Sequence, residues 1–262
     1  MSPEVTAVIT THARPLAVGE ALASVCAEVH QDLEVIVVDD GGTFVAPRGV
    51  RAIHGSNLGV ARARNLGLEH ARGEFVIYLD DDDVALPNRI ASLLSAARQH
   101  QASLCFGITR RVGAETLLPD VPTHRPSSGF VGFDDLLTCN PHVNAVLART
   151  EALRAAGGFD AGADHFDDWA AWLRMADRGV RIWQIAETVA EWRIHPRGLS
   201  GQVLHVAAMK RRILSLFEHL QRSLSSGNAR AVAAAQQLVA ASDIVTYDDY
   251  VSAMADARAL AA

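Results

Sequence analysis

A short apolar run that ends in four consecutive carboxylates is the strongest constraint on how this chain can fold. Residues 75–79 are Phe-Val-Ile-Tyr-Leu, and Asp80, Asp81, Asp82 and Asp83 follow directly. An uninterrupted apolar run of this length is typical of a strand that is buried on both faces. Four adjacent acids repel one another in a partly desolvated site unless a cation joins them. Because open α/β sheets bind ligands at the carboxyl ends of their strands, the run favours a cation site over the alternative, a solvated acidic turn.

Similar apolar runs alternate with helical patterns through the first hundred residues. The predicted strands cover residues 5–10, 34–38, 51–54 and 75–79, and the predicted helices cover residues 16–29 and 60–71. The second strand also ends in carboxylates, Asp39 and Asp40, and glycines supply the turn that follows. This β-α-β-α-β order with short connections predicts a doubly wound parallel sheet. The first turn lacks GxGxxG and no P-loop motif is present, so a dinucleotide site of the usual kind is not expected.

The pattern beyond the acidic run is less regular but still α/β. It predicts helices over 87–100, from 150 and from 167, strands over 103–109, 144–148 and 189–194, and a loop over 113–132. From residue 203 the pattern is purely helical, with segments at 203–221, 229–241 and 247–260. We therefore divide the chain into an α/β domain over 1–202, with halves 1–100 and 101–202, and a helical extension over 203–262. The extension could cap the sheet, form a homodimer or touch a membrane surface.

Charge and composition exclude several classes of protein. A net charge of −6 argues against broad binding of nucleic acid through its phosphates. The three cysteines, Cys26, Cys105 and Cys139, are widely spaced and form neither a CxxC pair nor a disulfide framework, which indicates a reducing compartment. The sequence has no signal-peptide pattern and no apolar run near the roughly 20 residues of a membrane span. We therefore expect a cytoplasmic protein without a transmembrane segment.

Seven short motifs occur in an order that resembles the inverting family 2 glycosyltransferases, which have the GT-A fold. The motifs are residues 8–15, 35–41, 57–67, 79–83, 157–160, 167–169 and 192–195. Each motif alone is weak, but their order and spacing match the family across residues 5 to about 200. The resemblance implies a GT-A domain, with a Rossmann-like, mostly parallel sheet flanked by helices, and a C-terminal helical extension. It also implies that residues 1–100 bind the nucleotide sugar and that residues 101–202 bind the acceptor.

The resemblance implies a role for each motif residue. The nucleotide-sugar site would consist of Thr10, His12, Arg14, Asp40, Arg64, Asp80 and Asp81. Within it, His12 could stack on the base, Asp40 could accept the imide N–H of a uracil or thymine, and Asp81 matches the ribose contact. Asp82 matches the direct ligand of a divalent metal ion, Mn²⁺ or Mg²⁺, and His195 would help to hold the metal or the diphosphate. The alternative for His195 is a strand-end histidine that bonds to backbone.

The pair Asp167-Asp168 matches the Glu-Asp motif of the family. Its second acid, Asp168, would be the catalytic base, and Asp167 and Trp169 would contact the acceptor. Acids also suit a helix start because of the helix dipole, so a purely structural role for the pair is the alternative. Two departures from the family pattern are Asp167 in place of Glu, and Gly41-Gly42-Thr43 where Asp-Gly-Ser-x-Asp is common.

The expected function is a metal-dependent inverting transfer of a sugar from a nucleoside-diphosphate sugar to a hydroxyl group. UDP is the expected nucleotide, with dTDP or GDP as alternatives, and the acceptor would be a glycan, a lipid-linked glycan or a small molecule. One rival is a sugar nucleotidyltransferase, but the glycine-rich signature with a basic residue is not found near the first strand. The other is a non-catalytic nucleotide-sugar-binding module, which would have no need of the acids at 167–168.

Overall fold

The predicted apolar runs form the centre of a mixed β-sheet that has helices on both faces. The computed structural model describes residues 2–28, 30, 32–42, 44–113, 127–163, 165–195, 206–241 and 253–254. Its strands are β1 Val5–Thr11, β2 Leu33–Asp40, β3 Val50–Gly55, β4 Phe75–Asp80, β5 Val84–Ala85, β6 Leu104–Val112, β7 Gly129–Phe130, β8 Val146–Arg149 and β9 Ile182–Arg193. Its helices are α1 Pro15–Cys26, α2 Val60–His70, α3 Arg89–Gln99, α4 Phe133–Thr138, α5 Thr150–Ala155, α6 Asp167–Asp177, α7 Val206–Gln221 and α8 Ser226–Ala241.

The sheet has the strand order β3-β2-β1-β4-β8-β6-β9-β5, with β7 paired to β9, and its long pairings are parallel whereas its antiparallel pairings are short. The neighbours β3, β2, β1 and β4 are parallel, as are β6 and β9, whereas β8 runs antiparallel to both β4 and β6. In this register Thr10 lies between Val38 of β2 and Asp80 of β4. The strands that precede the polar motifs therefore end at one edge of the sheet, as expected for ligand-binding α/β folds.

The uninterrupted apolar runs are explained by burial on both faces of the sheet. On one face Val8, Ile36, Val76 and Tyr78 pack in a core with α2, α4, α5, α6, α7 and α8. On the other face alternate strand residues such as Ile77 pack in a second core with α1 and α3. Because strand side chains alternate between faces, both sets of positions must be apolar when helices cover both sides.

Several element boundaries predicted from the sequence were wrong. Strand β9 begins at Ile182 rather than at 189, because polar residues hide the alternation in its first half. Helix α3 begins at Arg89 rather than at 87, since Asn88 has a left-handed φ of 66°. Strand β8 begins at Val146, after a 3₁₀ helix at Val143–Ala145. Smaller differences are that α1 ends at Cys26 rather than at 29 and that α8 begins at Ser226 rather than at 229. Strand β7 was not predicted and lies inside the predicted loop.

Some predictions lie outside the described residues. They are most of the loop predicted over 113–132, namely residues 114–126, and the helical segment predicted over 247–260, apart from residues 253–254. None of the helices in the described part of the chain is both long enough and apolar enough to cross a membrane.

Candidate functional site

The polar motifs predicted to act together converge on the carboxyl edge of the sheet. Thr10, Asp40 and Asp80 stand at the ends of β1, β2 and β4. His195 follows β9 by two residues, and Asp168 is the second residue of α6. Residues far apart in the sequence meet here because the parallel strands all end at this edge.

The acids that end β2 organise the neighbouring loops. The Asp40 carboxylate accepts hydrogen bonds from the backbone N–H groups of Leu58 (2.7 Å) and Gly59 (2.8 Å), which fastens the loop that opens α2. The Asp39 carboxylate accepts a bond from the N–H of Phe44 at 2.6 Å. The ring of His12 is exposed, and its Nδ1 contacts the backbone carbonyl of Asp40. Asp40 therefore supports the backbone here, although each of its carboxylate oxygens still has a lone pair to accept a further bond.

Asp80 and Asp81 are held from opposite sides of β4. Arg64 donates two hydrogen bonds to the Asp80 carboxylate, at 2.8 and 3.0 Å, and Thr10 donates a longer one at 3.4 Å. The Asp81 carboxylate is buried, accepts a hydrogen bond from the Thr11 hydroxyl at 2.5 Å, and lies 2.7 Å from Nη2 of Arg14. The two neighbouring acids thus contact different arginines.

Asp82 and Asp83 point into different surroundings. The Asp82 side chain is partly exposed, and its Oδ2 lies 2.6 Å from Nη1 of Arg14 and 3.0 Å from Nε2 of His195. Asp83 is buried, and its carboxylate accepts hydrogen bonds from the side-chain amide of Asn144 and from the N–H of Arg193 at 2.6 Å. Asp83 therefore joins the ends of β4 and β9 to the segment before β8, whereas Asp82 presents its carboxylate to solvent.

The ionisation of the acidic run follows these surroundings. Burial raises the pKa of Asp81 to about 6, despite the hydrogen bond from Thr11 and the charge of Arg14. Burial and the charge of Asp80 raise the pKa of Asp83 well above its usual range. Burial also disfavours ionised Asp80, but the charge and hydrogen bonds of Arg64 outweigh it, so the pKa of Asp80 is lowered. Local partners, and not the shared residue type, decide the charge of each acid.

The donor set at Asp82 and His195 fits a divalent cation. A carboxylate oxygen and an imidazole nitrogen stand 3.0 Å apart and partly exposed, a combination that suits Mn²⁺ better than Mg²⁺. A second group, in which ligand atoms of Asp80, Asp83 and His142 lie within 4.8 Å of one another, fits less well. There, Arg64 already bonds both oxygens of Asp80, and the oxygens of Asp83 are bonded to Asn144 and Arg193.

The acid pair that opens α6 lies close to the acidic run. Asp167 accepts a hydrogen bond from Nη1 of Arg64 at 2.8 Å. The buried Asp168 carboxylate accepts bonds from the N–H of Trp169 at 2.7 Å and from the Asn140 side chain at 3.4 Å. Burial, together with the charge of Asp167, raises the pKa of Asp168 to about 7, although the charge of Arg64 acts in the opposite direction. Asp168 is therefore poised to exchange a proton near neutral pH.

Trp169, expected from the resemblance to contact the acceptor, is placed in the core instead. Its side chain is fully buried, its indole N–H donates to the carbonyl of Leu136 at 2.6 Å, and its ring packs edge-on against Phe166 and Phe217. A residue in this position supports the start of α6 from behind.

Sequence reasoning missed four polar residues of this region. Thr11 contacts Asp81, and Asn140 contacts Asp168. His142 packs against the ring of Trp192, and Asn144 contacts Asp83. Burial lowers the pKa of His142 to about 4, so its imidazole is neutral at neutral pH. The available signal was the density of amide and imidazole side chains in residues 140–144, directly before an apolar strand.

Comparison of the sequence with known proteins identifies the family. The sequence model described as Glycosyl transferase family 2 matches residues 6–215, which is most of the chain. The glycosyltransferase GlyG of Streptococcus pneumoniae is 29% identical over 99 residues, which are 34% of this chain and 33% of GlyG. The chain spans a third or less of the length of GlyG and of a similar glycosyltransferase of Rickettsia bellii.

Solved structures with the same architecture include a mannosyltransferase and a protein in complex with a nucleotide sugar. The mannosyltransferase PcManGT from Pyrobaculum calidifontis, in complex with GDP-Man and Mn²⁺, has a TM-score of 0.67 at 19% identity, covering 100% of this chain and 75% of that one. Residues 1–349 of S. aureus TarS, in complex with UDP-GlcNAc, have a TM-score of 0.62 at 14% identity, covering 98% and 92%. The likeness confirms the expected GT-A fold.

Proposed function

Because the chain belongs to glycosyl transferase family 2, we propose that it transfers a sugar from a nucleoside-diphosphate sugar to an acceptor hydroxyl, with inversion at the anomeric carbon. The observation that carries this proposal is the buried Asp168 carboxyl, whose pKa is about 7, joined through Arg64 and Asp167 to the acidic run that ends β4. A base for the acceptor and acids for the donor thus share one edge of the sheet. A module that only bound nucleotide sugars would not need such a base.

The donor would lie across the ends of β1, β2 and β4. Its base would meet the exposed ring of His12 and the lone pairs left on Asp40, and its ribose would meet Asp81. UDP is the first candidate nucleotide, because a carboxylate can accept the imide N–H of uracil. The related structures support this class of donor, since TarS is seen with UDP-GlcNAc and PcManGT with GDP-Man.

Asp82 and His195 would hold a divalent cation beside the donor diphosphate. The presence of Mn²⁺ in the PcManGT complex supports this assignment, as does the 3.0 Å separation of the two ligand atoms. When bound, the ion would offset the charge that develops on the departing nucleoside diphosphate. Arg14 contacts both Asp81 and Asp82, so a bound ion would take its place at the Asp82 oxygen, and the arginine would keep its contact with Asp81.

Asp168 would accept the proton of the acceptor hydroxyl as the hydroxyl oxygen attacks. The oxygen forms a bond to the anomeric carbon while the bond from that carbon to the diphosphate oxygen breaks, and the nucleoside diphosphate leaves with the electron pair. A single displacement of this kind inverts the configuration. Asn140, which donates to Asp168, would help to orient the carboxylate.

Measuring nucleoside diphosphate release from UDP- and GDP-sugars, with and without glycan, lipid-linked and small-molecule acceptors, tests the proposal. We expect release that depends on both an acceptor and Mn²⁺ or Mg²⁺, and a product of inverted anomeric configuration. A sugar nucleotidyltransferase would instead release pyrophosphate from a nucleoside triphosphate and a sugar phosphate. Binding of nucleotide sugars without turnover of any of them would overturn the proposal.

Helices α7 and α8 pack in the core on one face of the sheet, as the first alternative for the extension expected. We also propose that the enzyme works in the cytoplasm and that a homodimer, if it forms, uses the outer surface of these helices. The described cysteines are not joined by disulfides, which fits a reducing compartment. The domain division at residue 202 is kept as a proposal, although the family match continues to residue 215 within α7.

A further inference from the structure

Arg64 is a buried cation that bonds to acids from both halves of the catalytic region. It lies on α2, and its guanidinium donates to Asp80 at the end of β4 and to Asp167 at the start of α6. The three bonds are 2.8, 2.8 and 3.0 Å long, and the arginine side chain is only 7% exposed. The two acids are 87 positions apart in the sequence, and this one side chain connects them.

The fork of an arginine is needed for this connection. Its Nη1 group donates to Asp167 while its Nη2 group donates to Asp80, and the single ammonium of a lysine cannot bond both acids in this geometry. Burial works against the charge of Arg64, but Asp167 and Asp80 outweigh it, and the pKa of the guanidinium is raised. The cation therefore stays charged and bonded to both acids.

Both terminal nitrogens of Arg64 are thus bonded to protein groups, and its Nε is buried. A direct role in binding the base or phosphate, which the family resemblance implies, would require it to leave either the buried carboxylate of Asp167 or the partly buried one of Asp80 without its partner. Removing one member of a buried ion pair is costly, so such a rearrangement is disfavoured.

We propose that Arg64 is a positioning residue: it fastens α6 to the donor-side strand β4, and so fixes where the Asp168 carboxylate stands. The positive charge of Arg64 also lowers the pKa of Asp168, against the effect of burial. This inference rests on the proposed function for its catalytic meaning. Among the described residues, the charged groups that face Asp168 are Asp167 on its own helix and Arg64 from α2. Asn140 and the N–H of Trp169 supply its hydrogen bonds.

The first test needs no substrate. The titration of Asp168 is followed by ¹³C NMR of labelled aspartate carboxyl groups, with Asp168→Asn to assign its signal. Arg64→Gln removes the positive charge, so we expect the midpoint to move to higher pH; adding Asp167→Asn removes the repelling charge and should move it back. Arg174→Gln is the matched control, because it also removes a three-bond arginine, on α6 itself, but Arg174 contacts Asp160 and two backbone carbonyls instead.

The second test separates positioning from donor binding. Arg64→Lys keeps a charge and is the variant to use if Arg64→Gln does not fold. We expect its kcat to fall about 10- to 100-fold, as small misplacements of catalytic groups do, with the donor KM within about threefold of the native value.

Two results would overturn the inference. They are an Asp168 midpoint that Arg64→Gln leaves unchanged, and an Arg64→Lys variant in which the donor KM rises while kcat is kept. If the native protein turned over no donor, the proposed function would fail, while the NMR midpoint would still decide whether Arg64 governs Asp168.

Discussion

At the scale of single residues, identical side chains acquire different chemistry from their neighbours. The charge of Arg64 keeps Asp80 ionised, whereas Asp83 is buried and bonded to Asn144. Asp82 remains accessible beside His195. Asp168 differs again, because burial and a neighbouring acid raise its pKa to about 7. Burial and partners therefore distinguish acids that the sequence alone does not.

The base assignment predicts a specific loss of activity. Asp168→Asn removes the proton acceptor but keeps the shape, so we expect kcat to fall by about 10²–10⁴-fold, the usual contribution of a positioned base. Donor binding, measured by calorimetry with UDP and Mn²⁺, should change little. Asp134→Asn, an exposed acid of α4, is the control and should keep full activity. Normal transfer by the Asp168 variant would contradict the assignment.

The same substitution should stabilise the fold at alkaline pH. The folded-state pKa of Asp168 is raised to about 7, above the ordinary value for an aspartate in an unfolded chain. The unfolded chain therefore loses its proton first, and stability is lost as pH rises from about 4 through 7. At pH 8 Asp168→Asn should raise the free energy of unfolding by about 0.5–2 kcal/mol. Denaturant unfolding at pH 8 and 5.5 checks this, and a gain that is larger at pH 5.5 would count against it.

Arg14 should compete with a metal ion for Asp82. Its Nη1 lies 2.6 Å from the oxygen that also faces His195, so a cation bound there has to displace it. A partly exposed ion pair is worth about 1 kcal/mol or less, so Arg14→Gln should tighten Mn²⁺ binding by about fivefold or less. Electron paramagnetic resonance of free Mn²⁺, without nucleotide, measures this. Arg178→Gln, at an exposed position after α6, is the control; unchanged or weaker binding in the Arg14 variant would refute the competition.

At the scale of elements, the turn between α5 and α6 aligns the helix that carries Asp168. Asn65 of α2 bonds this turn through both of its side-chain groups, to the N–H of Phe159 at 2.8 Å and to its carbonyl at 2.6 Å. Gly158 has a φ of 64°, and a Cβ atom there would stand 2.3 Å from Oδ1 of Asn65. The last residue of the turn motif, Asp160, is bonded through its carboxylate to Arg174 of α6 and to His219 of α7. The Gly-Gly-Phe-Asp motif thus joins α2, α6 and α7.

A pair of glycine substitutions tests this account of the turn. Gly157 also has a positive φ, of 88°, but a Cβ atom there would meet nothing within 4 Å. Gly157→Ala should therefore cost only backbone strain, about 1 kcal/mol, whereas Gly158→Ala should cost about 2–3 kcal/mol because Asn65 must also move. Chemical denaturation measures both. Equal losses would mean that the contact with Asn65 is unimportant.

At the scale of the whole molecule, the proposed ligand site at the carboxyl edge involves strands from across the sheet. The implied donor contacts come from the ends of β1, β2 and β4, while His195 follows β9 and Asp168 opens α6. A ligand that meets all of these elements should stabilise the fold as a unit, since it binds only the folded arrangement.

Thermal unfolding should report this coupling. A nucleoside diphosphate at 100 times its Kd should add about 2.7 kcal/mol to the free energy of unfolding, which raises Tm by several degrees. The shift should need Mn²⁺ or Mg²⁺, and at equal concentrations of the two nucleotides it should be larger for UDP than for GDP. Asp82→Asn should abolish the metal-dependent part, and a full shift in that variant would remove Asp82 from the metal site.

Much of the fold and part of the site could be predicted from the sequence. The first strands and helices follow from local patterns, because apolar runs and helical periodicity are written in neighbouring residues. The acids at the strand ends could be predicted too, because they directly follow the apolar runs in the sequence. The first half of β9 and the 3₁₀ helix before β8 did not, since Gln184 and Asn144 are buried polar residues that break the apolar pattern.

By itself, the sequence determined which segments form the parallel sheet and that carboxylates gather at its carboxyl edge. Only the tertiary structure decided what each carboxylate does. It paired Arg64 with Asp80 and Asp167, left Asp82 accessible beside His195, and buried Trp169 in the core. The physical reason is that ionisation and accessibility depend on desolvation and on charges a few ångströms away, and those neighbours come from distant parts of the chain.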